Sequence, residues 1–331
     1  MSIGVGARGL ALSRAQVASV RDVTAAYWNP AGLTGVKNNI QLSVQHAEYF
    51  AGIAKYDYGG VAAKIDDRSA MAFSLIRFGV DDIPNTTELI DNNGQINYDR
   101  ITSFSAADYA FLFSYARKLG EKGLSVGGNG KVIYRQVGDM AQAWGFGLDV
   151  GVQYEAGKWL LGATGRDITS TFNSWSFSLD STTIDVFNRT GNEIPKNGLE
   201  ITLPKISLGV ARMFTIKNRV TVQPELVVDI TTDGRRNVLI SGDPFSFDPG
   251  FGLEISYQQL FYLRGGIGNF QRNKAEFGNY YEYTFQPNIG VGVHIKETLS
   301  IDYALTDIGD ASVALYSNVF SLRLAINQRD R

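Results

Sequence analysis

Two histidines, His46 and His294, are the only imidazoles among 331 residues, and cysteine is absent. Without a thiol there is no Cys nucleophile, thiolate metal site or disulfide. The histidines fall on separate, distant segments, so neither a two-His metal motif nor a sequence-local nucleophile–His–carboxylate set can be assembled. Two glycine patterns imitate phosphate-binding loops. The stretch "GVGARG", with Gly4, Gly6 and Gly9, fits G-x-G-x-x-G, yet no strand precedes it and no βαβ unit follows. "GGNGK" at 127–131 lacks the Ser or Thr that should follow Lys131, and its residues alternate as a strand does. Both are read as chance. The chain is therefore expected to be a non-enzyme, with no catalytic residue, cofactor or metal.

The elements around these residues carry a stronger signal. From about residue 38 to the end, apolar and small or polar residues alternate with period two. Trp144, Phe146, Leu148, Val150, Val152 and Tyr154 share one face; Gly145, Gly147, Asp149, Gly151, Gln153 and Glu155 share the other. Aromatics at both ends of an aliphatic row suit a strand that crosses two membrane–water interfaces. The second face is rich in glycine with scattered charges of both signs, which suits a crowded, wet lumen better than the Lys- and Glu-rich outer face of a soluble sandwich. Inward-pointing charges are expected at Lys131, Arg135, Asp149, Glu155, Arg166, Glu225, Asp229, Glu254, Arg264, Asp302 and Arg323, with His294 an ordinary lumenal residue.

About fourteen such strands are counted, and their linkers sort by length. "IDDRS", "LGEKG", "EAGK", "IKNR", "YQQ" and "IKET" are short, whereas 81–103, 168–203, 232–244, 270–283 and 307–316 are long. Short turns on one side, long loops on the other and an even strand number describe a transmembrane antiparallel β-barrel. A formal net charge of -2 offers no basic stripe, which argues against nucleic acid as a partner. No apolar run reaches the length of a transmembrane helix, and "MSIGVGARGLAL" is not a signal peptide. Export to a bacterial outer membrane, with the lipid bilayer as partner, thus presumes a signal absent from this numbering.

Residues 8–27 do not alternate. Leu10, Leu12, Val17, Val20, Val23 and Tyr27 recur at helical spacings, which predicts one or two short helices too polar to span a bilayer, lying under the barrel or within it. The division is a helical segment over 1–37 and a barrel over 38–331. In "DVTAAYWNPAGLTGV" (22–36), Asn29 before Pro30 fits an N-cap with Pro at the first helical position, and Gly32 is expected to take a left-handed conformation that stops the turn. Local chemistry leaves open a plain turn leading into the first strand.

"GARGLAL" (6–12), "QVASVRDVTAAYWNPAGL" (16–33) and "IDYALTDIG…SLRLAI" (301–326) resemble the PorV/PorQ family, in the FadL-like group of outer-membrane barrels. Ser13-Arg14 departs from the resemblance, standing where a small Gly-rich pair is expected. The resemblance implies that the N-terminal segment is a hatch plugging the lumen, with Asn29, Pro30 and Ala31 in its turn and Gly32 and Leu33 extending it. Tyr27 and Trp28 are placed as wedges against the wall by their size and position. The family's role implies an accessory barrel of type IX protein secretion, whose partner is a larger secretion barrel or the sorting domain of a secreted cargo. The alternative is a FadL-like channel for a hydrophobic ligand or detergent, with a continuous apolar cavity.

Two further features fit that alternative or the first reading. Met71, Phe73 and Leu75 hold one parity and Ile76, Phe78 and Val80 the other, so a bulge or strand kink is expected at Leu75, Ile76 and Arg77, an ordinary bulge near the rim being the plainer reading. In FadL a third-strand kink opens a lateral exit. Phe172, Trp175, Phe177 and Leu179 make the 168–203 loop apolar and are the candidate outer-loop partner surface, with a lid folded over the barrel the equal alternative.

Overall fold

The computed structural model describes residues 3–90, 94–120, 123–274, 281–296, 298–308 and 316–327. Period-two segments become strands β1 (Ile40–Tyr49), β2 (Ala54–Lys64), β3 (Ser69–Asn85), β4 (Thr102–Leu119), β5 (Leu124–Val137), β6 (Ala141–Ala156) and β7 (Trp159–Arg166), each antiparallel to the one before. The chain then leaves the wall through β8 (Thr171–Phe177), a helix at Ser181–Thr190 and β9 (Gly198–Thr202). It returns as β10 (Lys205–Arg212), which pairs with β7 and is prolonged by β11 (Phe214–Ile216). The strands β12 (Val220–Thr231), β13 (Ser246–Tyr257), β14 (Phe261–Lys274), β15 (Tyr281–Ile295), β16 (Leu299–Thr306) and β17 (Ser317–Ile326) complete the wall.

β17 pairs back onto β1, from Ile40↔Ile326 to Glu48↔Asn318. With β10 and β11 taken as one strand and β8–β9 as an outgrowth, the barrel is closed, antiparallel and fourteen-stranded. Closure leaves no free edge in hydrocarbon, where each unpaired backbone group would cost several kcal/mol. The end with short turns is the periplasmic one and the end with long connections the extracellular one.

The alternation of β6 is read as expected. Its residues from Trp144 to Tyr154 on the outward parity are 39–49% exposed, while Asp149 and Gln153 are buried inside. The inside of the barrel holds the hydrophobic core. Tyr56, Tyr58, Ile76, Ala110 and Leu112 of β2, β3 and β4 pack there against Val23, Ala25, Tyr27, Trp28 and Leu33 of the N-terminal segment.

That core corrects the expected kink. Leu75, Ile76 and Arg77 pair without interruption, to Gly59, Tyr58 and Asp57 on one side and to Phe111, Ala110 and Tyr109 on the other. Leu75 faces outward, and Ile76, 1% exposed, faces the lumen. The apolar parity changes because the strand passes from covering lipid-facing wall to covering the segment inside, with no slip in the backbone. The actual register shift lies between Val80 and Ile83, where Asp82 has φ 56°.

Candidate functional site

Residues 3–36 lie inside the barrel. They form helix α1 (Ala7–Ala11), a run of turns, helix α2 (Ala25–Trp28) and a 3-10 turn at Pro30–Gly35. Tyr27, Trp28, Asn29, Pro30, Ala31, Gly32 and Leu33 are all buried. Asn29 is extended, with φ -156°, and its side chain accepts the Ala31 N–H, so the capping role with Pro30 following is seen. Gly32 does not take the left-handed conformation expected of it. It lies within the 3-10 turn, where a Cβ would collide with the Val20 carbonyl and crowd Ala25, so closeness of two chain segments is what demands glycine. Left-handed backbone occurs instead at Ser13 and Arg14, with φ 50° and 72°. There the resemblance leads one to expect glycines, and both side chains present are used: Ser13 accepts from Asn288, and Arg14 pairs with Asp229 and Asp248.

Turns bond part of this backbone internally, and such short helices leave other groups without an internal partner. Side chains of the wall supply them. Asn129 donates to the Ala26 carbonyl (2.6 Å), Thr164 to Trp28 (3.2 Å), Tyr58 to Val23 (3.3 Å), and Gln153 to both Val17 and Val20 (3.1 Å each). Glu225 accepts the Ala18 N–H, Gln45 that of Gly6 and Gln41 that of Val23. Asn29 reverses the direction: its amide donates to Val17 within the segment and to Val152 of β6. Sequence reasoning singled out lumenal charges and, although it placed Gln153 on the inward face, gave these uncharged Gln, Asn and Thr residues no role. Their signal was present as inward-parity amides opposite a segment poor in regular helix.

Several glycines of the inward face mark where the segment lies directly against the wall. A Cβ on Gly127 would lie 2.6 Å from the Ala31 nitrogen, and one on Gly252 2.9 Å from Leu12. One on Gly151 would collide with Asn29, on Gly162 with Val17, and on Gly266 with Leu12. The glycine-rich face expected to line a wet lumen is, at these positions, a dry bed for the N-terminal segment.

Charges form two layers. Toward the periplasm, Glu254 receives Arg8 (2.8 Å) and Arg264 (2.7 Å), Arg264 also meets Asp302 (2.6 Å), and Asp22 pairs with Arg323. His294 sits beside Asp302 at 3.2 Å. Burial alone would raise the Asp22 carboxyl, yet Arg323, the Thr24 hydroxyl and N–H, and Arg8 hold it below its ordinary value. Toward the outside, Asp229 gathers Arg14 and Lys205, while Lys131 binds Asp149 and Asp167. Arg166 donates to the Tyr27 carbonyl and lies over the rings of Tyr27 and Trp28. Arg135 meets Asp108 and Glu200, and Glu155 sits half-exposed at the periplasmic rim with Arg21.

Cavities flank the segment toward both ends of the barrel, and one at each end bears on closure. The outer one, about 340 Å³, has Tyr27 in its lining, an apolar side of Ile76, Ala110, Leu112 and Ile133, and a polar side that includes Arg14, Lys131 and Lys205. The periplasmic one, about 590 Å³, is lined by Arg8, Asp22, Glu254, His294 and Arg323 among others. They share no lining residue, and neither is a continuous apolar passage ending at residues 75–78. Among the described residues, no cluster of three His, Asp or Glu side chains is placed to hold a metal ion.

Phe172, Trp175, Phe177 and Leu179 do not make one surface. On β8, Phe172 faces outward and packs near Phe146 (5.9 Å), whereas Trp175 stacks with Phe177 on the opposite parity, under Arg135. Trp175, Phe177 and Leu179 are half-buried. Period-two geometry divides residues that looked contiguous in the sequence.

No family model and no curated protein matches the chain. Among solved structures, the toluene transporter TodX of Pseudomonas putida aligns with TM-score 0.60 at 13% identity, over 98% of this chain and 99% of that one. The toluene transporter TbuX of Ralstonia pickettii gives 0.57 at 14%, over 98% and 99%. A FadL homologue of Pseudomonas aeruginosa gives 0.57 at 13%, over 96% and 97%. The protein has the FadL-like fold, an outer-membrane β-barrel with its N-terminal segment inside. These neighbours are two toluene transporters and a FadL homologue.

Proposed function

We propose that the protein is a plugged channel for small hydrophobic molecules in the bacterial outer membrane, with residues 3–36 as its gate. The observation that carries this reading is the pair of separate lumenal cavities on either side of one hydrogen-bonded segment. A channel needs a closure that can be released, and here closure depends on side-chain contacts instead of wall strands. The outer cavity is of ligand size and offers an apolar side over Tyr27. The substrate class rests on the fold shared with TodX and TbuX. The test is toluene entry into outer-membrane vesicles carrying the protein. Uptake above protein-free vesicles is expected; uptake equal to them overturns the reading.

A second reading, an accessory barrel of type IX secretion, rests on the resemblance of residues 6–33 and 301–326 to PorV/PorQ proteins. It is favoured by the exposed apolar row of Phe172, Leu199 and Ile201 at the extracellular end. It requires a stable complex with a larger barrel or a sorting domain after mild solubilisation. Purification of a ligand-filled barrel with no protein partner overturns it.

A further inference from the structure

The wall does not end at one height. β8 pairs with the outer half of β6, from Ala141↔Phe177 to Phe146↔Phe172, and β9 pairs with β8 from Thr171↔Thr202 to Trp175↔Gly198. On the far side, β10 leaves β12 at Lys205↔Thr231, and β12 leaves β13 at Thr231↔Ser246. Among the described residues, no strand prolongs the wall beside β9. Among the described residues, β9 pairs with β8 alone, and it is exposed at every position.

This edge lacks two of the usual protections. "GLEIT" contains neither Lys nor Pro, and the one inward charge, Glu200, is answered by Arg135 (2.9 Å) and the Trp175 indole (2.8 Å). Leu199 and Ile201, 61% and 56% exposed, stand on the outward parity with Phe172 and Phe146.

We propose that the free edge of β9 is a docking site for an extended segment of another polypeptide, added to the sheet as its next strand. The backbone specifies the occupant. A row of N–H and C=O groups at strand spacing is matched by another strand and by no lipid or small apolar molecule. The incoming segment spans about five residues, with apolar side chains outward beside Leu199 and Ile201 and a basic or hydroxyl side chain inward, facing the half-exposed Glu200. This site stands with either functional reading.

The test uses the full chain in detergent and a capped seven-residue peptide of alternating Val and Lys as the probe. Amide hydrogen exchange at 198–202 should slow at least tenfold for the edge-facing N–H groups. A peptide with central Pro should have no effect. No slowing at millimolar peptide, or equal slowing with the Pro peptide, overturns the proposal. Consecutive strand N–H groups point to opposite edges, so one of Leu199→Pro and Glu200→Pro removes an edge donor. That variant should lose peptide protection while the barrel keeps its folded gel migration; retention of protection in both overturns the proposal. The chain has no cysteine, so Ile201→Cys supplies a unique thiol. Under mild oxidation it should cross-link a peptide bearing one outward cysteine, while Ile206→Cys on β10 should not. Equal cross-linking, or Ile201→Cys homodimers in place of the peptide adduct, overturns the assignment.

Discussion

Arg166 reaches from the end of β7 to Tyr27, its guanidinium 4.2 Å from the ring centroid and 2.7 Å from the backbone carbonyl. The contact joins the wall to the inner segment beneath the outer cavity. A charged hydrogen bond and a desolvated cation–π contact are each worth about 2 kcal/mol. Arg166→Ala should therefore raise passive leakage of a small solute through reconstituted barrels by about tenfold or more. Arg166→Lys retains charge without the planar fork and should fall between. Leakage equal to the parent in both variants would remove Arg166 from the closure.

Gly127 and Gly130 lie on opposite faces of β5 and make a matched pair. A Cβ on Gly127 meets the backbone of Pro30 and Ala31, while one on Gly130 meets nothing within 4 Å. Gly127→Ala should displace the segment at a cost of about 1–3 kcal/mol, read as increased protease cleavage within 3–36. Gly130→Ala should leave cleavage unchanged.

Asn29→Asp keeps the shape of the side chain and turns its donor into an acceptor facing the Val17 and Val152 carbonyls. A buried charge among carbonyl oxygens, together with the lost bonds, should loosen the segment by about 3 kcal/mol or more. Hydrogen exchange of residues 25–36 should accelerate while the amides of β6 stay protected.

Acid should open the periplasmic lock late. The folded Asp22 carboxyl titrates below its ordinary value, so its pairing with Arg323 stabilises the closed state above the ordinary carboxylate range. That contribution is lost as pH falls through the depressed value. Leakage of the parent should rise only in that acidic window. Asp22→Asn should show at neutral pH part of the loosening the parent shows in acid, and an unchanged profile would assign the acid response to other groups.

Much of the wall was legible because lipid imposes a period-two code on it. Trp144 through Tyr154 announced their face, and linker length announced which end was which. What filled the barrel was not written in that code. Gly127, Gly151 and Gly252 resembled residues facing water, since a glycine that admits the inner segment and one that faces a pore look alike until the segment is placed. Ile76 and Phe78 imitated a slip because apolar residues serve lipid on one face and the inner segment on the other. The Asn-Pro turn was legible through its capping chemistry, whereas Gln153, Thr164 and Asn129 were silent, being ordinary polar residues until they meet a carbonyl.

The strand that follows the inner segment, β1, is also the one that meets β17. Asp22 finds Arg323 across 301 positions, and the Ala7 N–H finds Ser321 across 314. Neither partner is in place until β17 is. Shutting the cylinder and fastening its contents thus both wait on one strand, so a chain that has lost β17 forfeits its lock together with its seam.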